Sequence, residues 1–150
     1  MTWPTHILGG LIVGKLTGNY TAAMAGSLVI DLDHVVSYYK HGLLSHPRQI
    51  LHASKNETDP WGNQRNFLHS IFSWLIVSGL LFATSAPWGL AFSLAYLVHL
   101  IFDALDGADF WPLFPIKSVV TRGPIKYNSR QEIILDVCLL AIFVALFVAV

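Results

Sequence analysis

Polar and apolar residues in this chain fall into long blocks, with little alternation. Five apolar stretches stand out: about Pro4 to Thr17, Thr21 to Tyr39, Phe67 to Thr84, Trp88 to Leu105 and Gln131 to Val150. Each is longer than a typical strand and reads as a helix. The boundaries carry punctuation. Pro4 suits a first helical position, where its missing N–H is no loss, and Gly18-Asn19 marks a turn. Thr21 is placed to cap the second helix, Ser85-Ala86-Pro87 makes a tight turn, and Ser129 with Glu132 forms a capping-box pair. Two polar loops separate the stretches, Lys40–Asn66 and Asp106–Arg130; the latter holds Pro112, Pro115 and Pro124, so it is not one helix.

A helix needs about 20 residues to cross roughly 30 Å of hydrocarbon. The second, fourth and fifth stretches reach that length and the third nearly does. The first is short, and Gly9, Gly10 and Gly14 are expected to pack it closely against a neighbour.

Composition strengthens the membrane reading. The 150 residues are 54% hydrophobic and 12% charged, with mean hydropathy +0.55. No Asp, Glu, Lys or Arg lies between Arg65 and Asp103, and Val137 to Val150 is wholly apolar. A soluble helical globule of this length would need more polar surface than the chain supplies. The expected fold is therefore all-α: one domain, residues 1–150, a small integral-membrane bundle of about five helices with a polar metal-site mouth on one side. The first stretch lacks a positive n-region and a typical cleavage site, so it is expected to be retained.

On an alternating path, Lys40, Arg48, Lys55, Arg65, Lys117, Arg122, Lys126 and Arg130 share one side, and Lys15 alone lies near the other. This bias places both long loops in the cytoplasm, and the chain in the inner (cytoplasmic) membrane with its C-terminus outward. Net charge is zero, which gives no field for nucleic acid. The single Cys138 can form no intrachain disulfide.

The ionisable residues gather at one depth. His6 opens the first stretch, and Asp31, Asp33 and His34 come late in the second. His69 opens the third, His99 and Asp103 close the fourth, and Glu132 opens the fifth. Asp31 and His34 are three apart and His99 and Asp103 four apart, so each pair shares a helix face. A lone histidine on an apolar helix is usually a hydrogen-bonded structural residue, but agreement in depth across separate segments favours a shared site. The expected ligands are His6, Asp31, His34, His69, His99 and Asp103, around one or two divalent ions. Zinc is the first choice, with manganese or iron as alternatives. Asp33 points away from the Asp31–His34 face and could bind a second ion, orient a ligand histidine or act as base. Asp33 and Glu132 are the candidate proton acceptors, and Arg65 the candidate phosphate ligand. Asp106 and Asp109 read as loop solvation or outer support, and His41, His46 and His52 as loop residues; Asp136 also lacks the context of the cluster.

These motifs, in this order, resemble the YdjM group of inner-membrane, metal-dependent hydrolase-like proteins. The likeness lies in Thr5-His6 with Gly9 or Gly10, Gly26-Ser27-Leu28-Val29-Ile30-Asp31-Leu32-Asp33-His34, Gln64-Arg65-Asn66-Phe67-Leu68-His69-Ser70, and His99-Leu100-Ile101-Phe102-Asp103 with the following Trp111-Pro112-Leu113-Phe114-Pro115. It spans about residues 5 to 136. Three positions depart from the group's pattern: Ile30 stands for a proline, Gln64 for a histidine and Leu68 for a threonine. If that histidine completes a metal shell in relatives, Gln64 implies a changed shell or one fewer ion. A weaker likeness holds to zinc-dependent phospholipases C. The resemblance implies a membrane-bound, metal-dependent hydrolase, and the cytoplasmic placement makes a phosphoester or lipid the expected substrate. The alternatives are a metal-stabilised scaffold or adaptor, and a metal or proton transporter. A transporter should carry ionisable groups in both halves of the membrane, whereas these cluster at one mouth.

Overall fold

The computed structural model describes residues 1–50 and 65–149. Among them are six helices and no strand: α1 (Trp3–Thr17), α2 (Tyr20–Leu28), α3 (Leu32–Lys40), α4 (Ile71–Thr84), α5 (Ala86–Leu105) and α6 (Arg130–Val148). The central helix is α5, which packs on α1, α2 and α4, while α6 leans on α1. Small residues make these approaches possible. Ala22, Ala23, Ala91 and Ala95 are fully buried in the core, and a Cβ on Gly26 would collide with the Phe92 backbone. Gly9, Gly10 and Gly14 are buried along α1, as expected for a short helix held by close packing.

Several boundaries follow the sequence, and three differ. Pro4 lies in the first turn of α1, and the Ser129 hydroxyl accepts from Glu132 N at 3.3 Å. The second stretch, however, is not one helix. Val29–Asp31 tightens into a 3-10 turn between α2 and α3, which re-aims Asp31 and Asp33 into the bundle and leaves the Ser27 carbonyl to a side chain of α5. Asn19 replaces Thr21 as the cap, accepting from Ala22 N at 3.1 Å. The third helix starts at Ile71 instead of Phe67 because Ser70 caps it, accepting from Ser73 N.

That late start shortens α4 to 14 residues. Only α5 and α6, among the described residues, are long and apolar enough by themselves to cross a membrane. Exposure runs opposite to that of a water-soluble helical protein. Asp33 and Ser37 are the buried residues of α3, while Leu32, Val35, Val36 and Tyr39 on the same helix are exposed. Most of α6 is exposed as well, and almost all of that surface is apolar. An amphipathic helix in water buries the other face.

Candidate metal centre

The polar interior is built from four parts of the chain. The first turn of α1 supplies His6, and the 3-10 turn with the start of α3 supplies Asp31, Asp33 and His34. The segment before α4 supplies Arg65 and His69, and the last turns of α5 supply His99 and Asp103. His6, His69, His99 and Asp103 are each at most 2% exposed.

Two imidazoles define the centre. His99 Nδ1 lies 2.8 Å from the Ser27 carbonyl oxygen, so that nitrogen carries the proton and donates. His69 Nδ1 lies 3.2 Å from Asp33 Oδ2 and donates likewise. In the neutral rings both Nε2 atoms then hold bare lone pairs, yet they face each other at 3.4 Å. Asp103 Oδ2 stands 3.3 Å from each. Asp31 Oδ1 stands 3.8 Å from His69 Nε2 and 3.7 Å from His99 Nε2. His69 Nε2, His99 Nε2 and Asp103 Oδ2 thus converge within 3.4 Å of one another, with Asp31 Oδ1 somewhat farther from both rings. Ligands about 2.0–2.1 Å from a tetrahedral ion lie roughly 3.3–3.4 Å apart, so the His69–His99–Asp103 spacing is compatible with a small divalent ion.

The other two predicted ligands flank this set. His6 stacks on His99 with ring centroids 3.8 Å apart, and its Nε2 is 3.6 Å from Asp103 Oδ1. His34 Nε2 is 3.5 Å from Asp31 Oδ1. Among the described residues, two groupings could hold an ion, His6–His99–Asp103 and Asp31–His69–His99. They share His99, whose one free nitrogen can bind a single ion, so both cannot be filled through it at once. Asp31 Oδ2, Asp103 Oδ2 and His6 Nδ1 are buried without a hydrogen-bond partner, which buried polar atoms rarely are unless an ion or water satisfies them.

Of the residues expected to act as acids, bases or phosphate ligands, each has a defined setting. Asp33 Oδ2 accepts from Asn66 N, Leu68 N and His69 N, at 3.2, 2.7 and 3.3 Å, as well as from the His69 ring. This fixes the His69 ring, as an outer carboxylate does for a metal-ligating imidazole. Arg65 is buried, its Nη2 lying 3.2 Å from Asp103 Oδ1 and 2.7 Å from Asp106 Oδ2. Burial works against its charge, but the Asp103 and Asp106 carboxylates outweigh this and hold its pKa above the ordinary value. Glu132 is fully buried at the α1–α6 contact. Its carboxylate accepts from Thr2 N, from Thr5 Oγ1 at 3.2 Å and from Asn128 N at 2.6 Å. None of these partners belongs to the cluster.

Asp106, read as loop solvation or outer support, takes the second of these roles, and one contributor escaped the sequence reading. Asp106 proves to be a buried partner of Arg65 and of the Met1 amine. Burial would raise its pKa, but those positive groups pull it below the usual carboxylate range. Its spacing of three from Asp103 was the available signal. The Ser27 carbonyl has no sequence signature, because any residue supplies one. His41 and His46 bond to backbone or side-chain groups of the 37–46 segment, and Asp109 pairs with Arg122 in the loop; these match the loop assignments. Gln64 and His52 lie outside the described residues.

A family model described as "YdjM inner membrane protein" matches residues 1–150. No curated protein and no solved structure matches the chain, so nothing supports the likeness to phospholipase C.

Proposed function

We propose, for a chain that belongs to the YdjM inner membrane protein family, a multi-pass membrane protein that binds a divalent metal, zinc first, and hydrolyses a phosphoester at the cytoplasmic face. The observation that carries this reading is the pair of imidazoles locked by Nδ1–H bonds, with both Nε2 atoms turned onto Asp103 and Asp31. A bound cation, or a proton on one Nε2, is what would satisfy these facing lone pairs. The inverted exposure of α3 and the bare α6 support lipid around the bundle.

When bound, a divalent ion supplies Lewis acidity to water or to a phosphoryl oxygen. The chain's own residues do the rest. Asp33 holds the Nδ1 proton of His69 and so keeps Nε2 available as a donor atom. Ser27 does the same for His99. Arg65 neutralises Asp103 and Asp106, which would otherwise repel an anionic substrate. His34, with its side chain 26% exposed, is the group of the set most open to the outside.

A scaffold reading is favoured by the burial of these donors, which could close a shell. Against it, the six candidate ligands are more donors than a closed tetrahedral site uses. The test is turnover of metal-loaded protein on a panel of phosphoesters, esters and amides. Activity lost on chelation and restored by metal supports the hydrolase, and a metal-loaded protein inert to the whole panel makes it a scaffold. For orientation, Ser118→Cys should be protected from outside labelling in intact cells; modification from outside overturns the cytoplasmic placement.

A further inference from the structure

The innermost members of the cluster are closed off, so any approach must pass the exposed ones. Side-chain exposure is 1% at His69 and 2% at Asp103, against 10% at Asp31 and 26% at His34. The route outward therefore runs over the 3-10 turn and α3. Around it the surface is apolar: Leu32 is 51% exposed, Val35 46%, Val36 50% and Tyr39 75%. Phe67, 55% exposed, is held at the same place because its neighbours Asn66 and Leu68 donate their N–H groups to Asp33. A contiguous apolar rim around a polar mouth marks a membrane or binding surface. A site fed from water would be rimmed by polar groups. Lys40 lies four residues past Val36, one turn along the same face and exposed, where it can meet an anionic group at the membrane surface.

We propose that the site opens sideways into the lipid phase across α3, and that its ligand is a phospholipid whose tail lies against Leu32, Val35 and Val36 while its phosphate reaches the cluster past His34. This rests on the metal-site reading above and adds the route and the class of substrate. The polar and apolar sides of α3 divide the work: Asp33 faces inward to His69 and Ser37 is buried beside it on the same face, while the apolar side chains stay in contact with acyl chains. No charged side chain has to cross hydrocarbon for a lipid to arrive, since its headgroup is already at the depth of His34.

The test uses the full chain in bilayer discs of phosphatidylglycerol and phosphatidylcholine, doped with a phosphatidylglycerol carrying a diazirine next to its headgroup. Metal content is measured on the same sample. Photolysis should place adducts within residues 32–39, and chelation should reduce them at least fivefold, because lipid merely surrounding the helix does not depend on the ion. Val36→Arg, or the milder Val35→Asn, should cut the adducts comparably at unchanged metal content. Adducts unaffected by chelation overturn the proposal, and so does equal labelling by a water-soluble diazirine glycerol phosphate. Disulfide-linked dimers of Val35→Cys in a Cys138→Ser background, in place of lipid adducts, give the face to a second copy and also overturn it. A sample with no bound metal is a different failure: it removes the metal-site reading itself.

Discussion

Asp33→Asn probes the support of the centre without touching a proposed ligand. The substitution keeps the size and one acceptor oxygen, so the N–H groups of Asn66, Leu68 and His69 can still be met. What it removes is the negative charge 3.2 Å from His69 Nδ1. That charge fixes the ring's tautomer and makes Nε2 a stronger donor. Outer partners of this kind are worth about 10–100-fold in metal affinity, or about 1.4–2.7 kcal/mol. Competition between the purified protein and a chromophoric chelator, wild type beside variant in one detergent, reads this directly. Affinity within twofold of wild type would refute the orienting role. A loss beyond 1,000-fold would make Asp33 a direct ligand and redraw the site.

Glu132→Gln separates a base from a fastener. Because its carboxylate joins the start of α1 to α6, the variant should lower thermal stability by about 1–3 kcal/mol and leave metal affinity unchanged; lost affinity at wild-type stability would contradict that. Arg65→Leu should cost about 3–5 kcal/mol by stranding buried carboxylates, and adding Asp106→Leu should recover part of it. Simple additivity in thermal melts would show that the two do not act as a pair. His41→Ala and His46→Ala should leave metal content at the wild-type level, since both rings bond away from the cluster; elemental analysis checks this.

What the sequence disclosed was placement by depth. His6, His69 and the His99–Asp103 pair come from segments far apart in the chain, yet each stands at the same end of an apolar run. Alternating helices therefore had to bring them together, and the structure does so. Local spacing was equally informative: the i,i+3 pair Asp31–His34 does meet. The remainder depended on atoms that side-chain identity does not reveal. The 3-10 turn at Val29–Asp31 is an apolar stretch like its surroundings, and it is the backbone tightening that turns Asp33 inward. The lock on His99 is a main-chain carbonyl. Glu132 has the spacing of a capping residue and the depth of a site residue. Only its partners Thr2, Thr5 and Asn128, two of them on another helix's first turns, distinguish those roles. Asp106 read as loop solvation or outer support, and only Arg65 folding back onto it decides between the two.

X-ray absorption at the metal edge of the purified, metal-loaded protein, wild type beside His99→Ala, bears most directly on the centre. The wild type should hold a stoichiometric ion in a shell of nitrogen and oxygen alone, at about 2.0–2.1 Å, with imidazole scattering. His99→Ala should lose the ion, because both possible groupings require that ring. Sulfur at about 2.3 Å would place the ion at Cys138, on the exposed side of α6. That result, or stoichiometric metal retained by His99→Ala, would contradict the site.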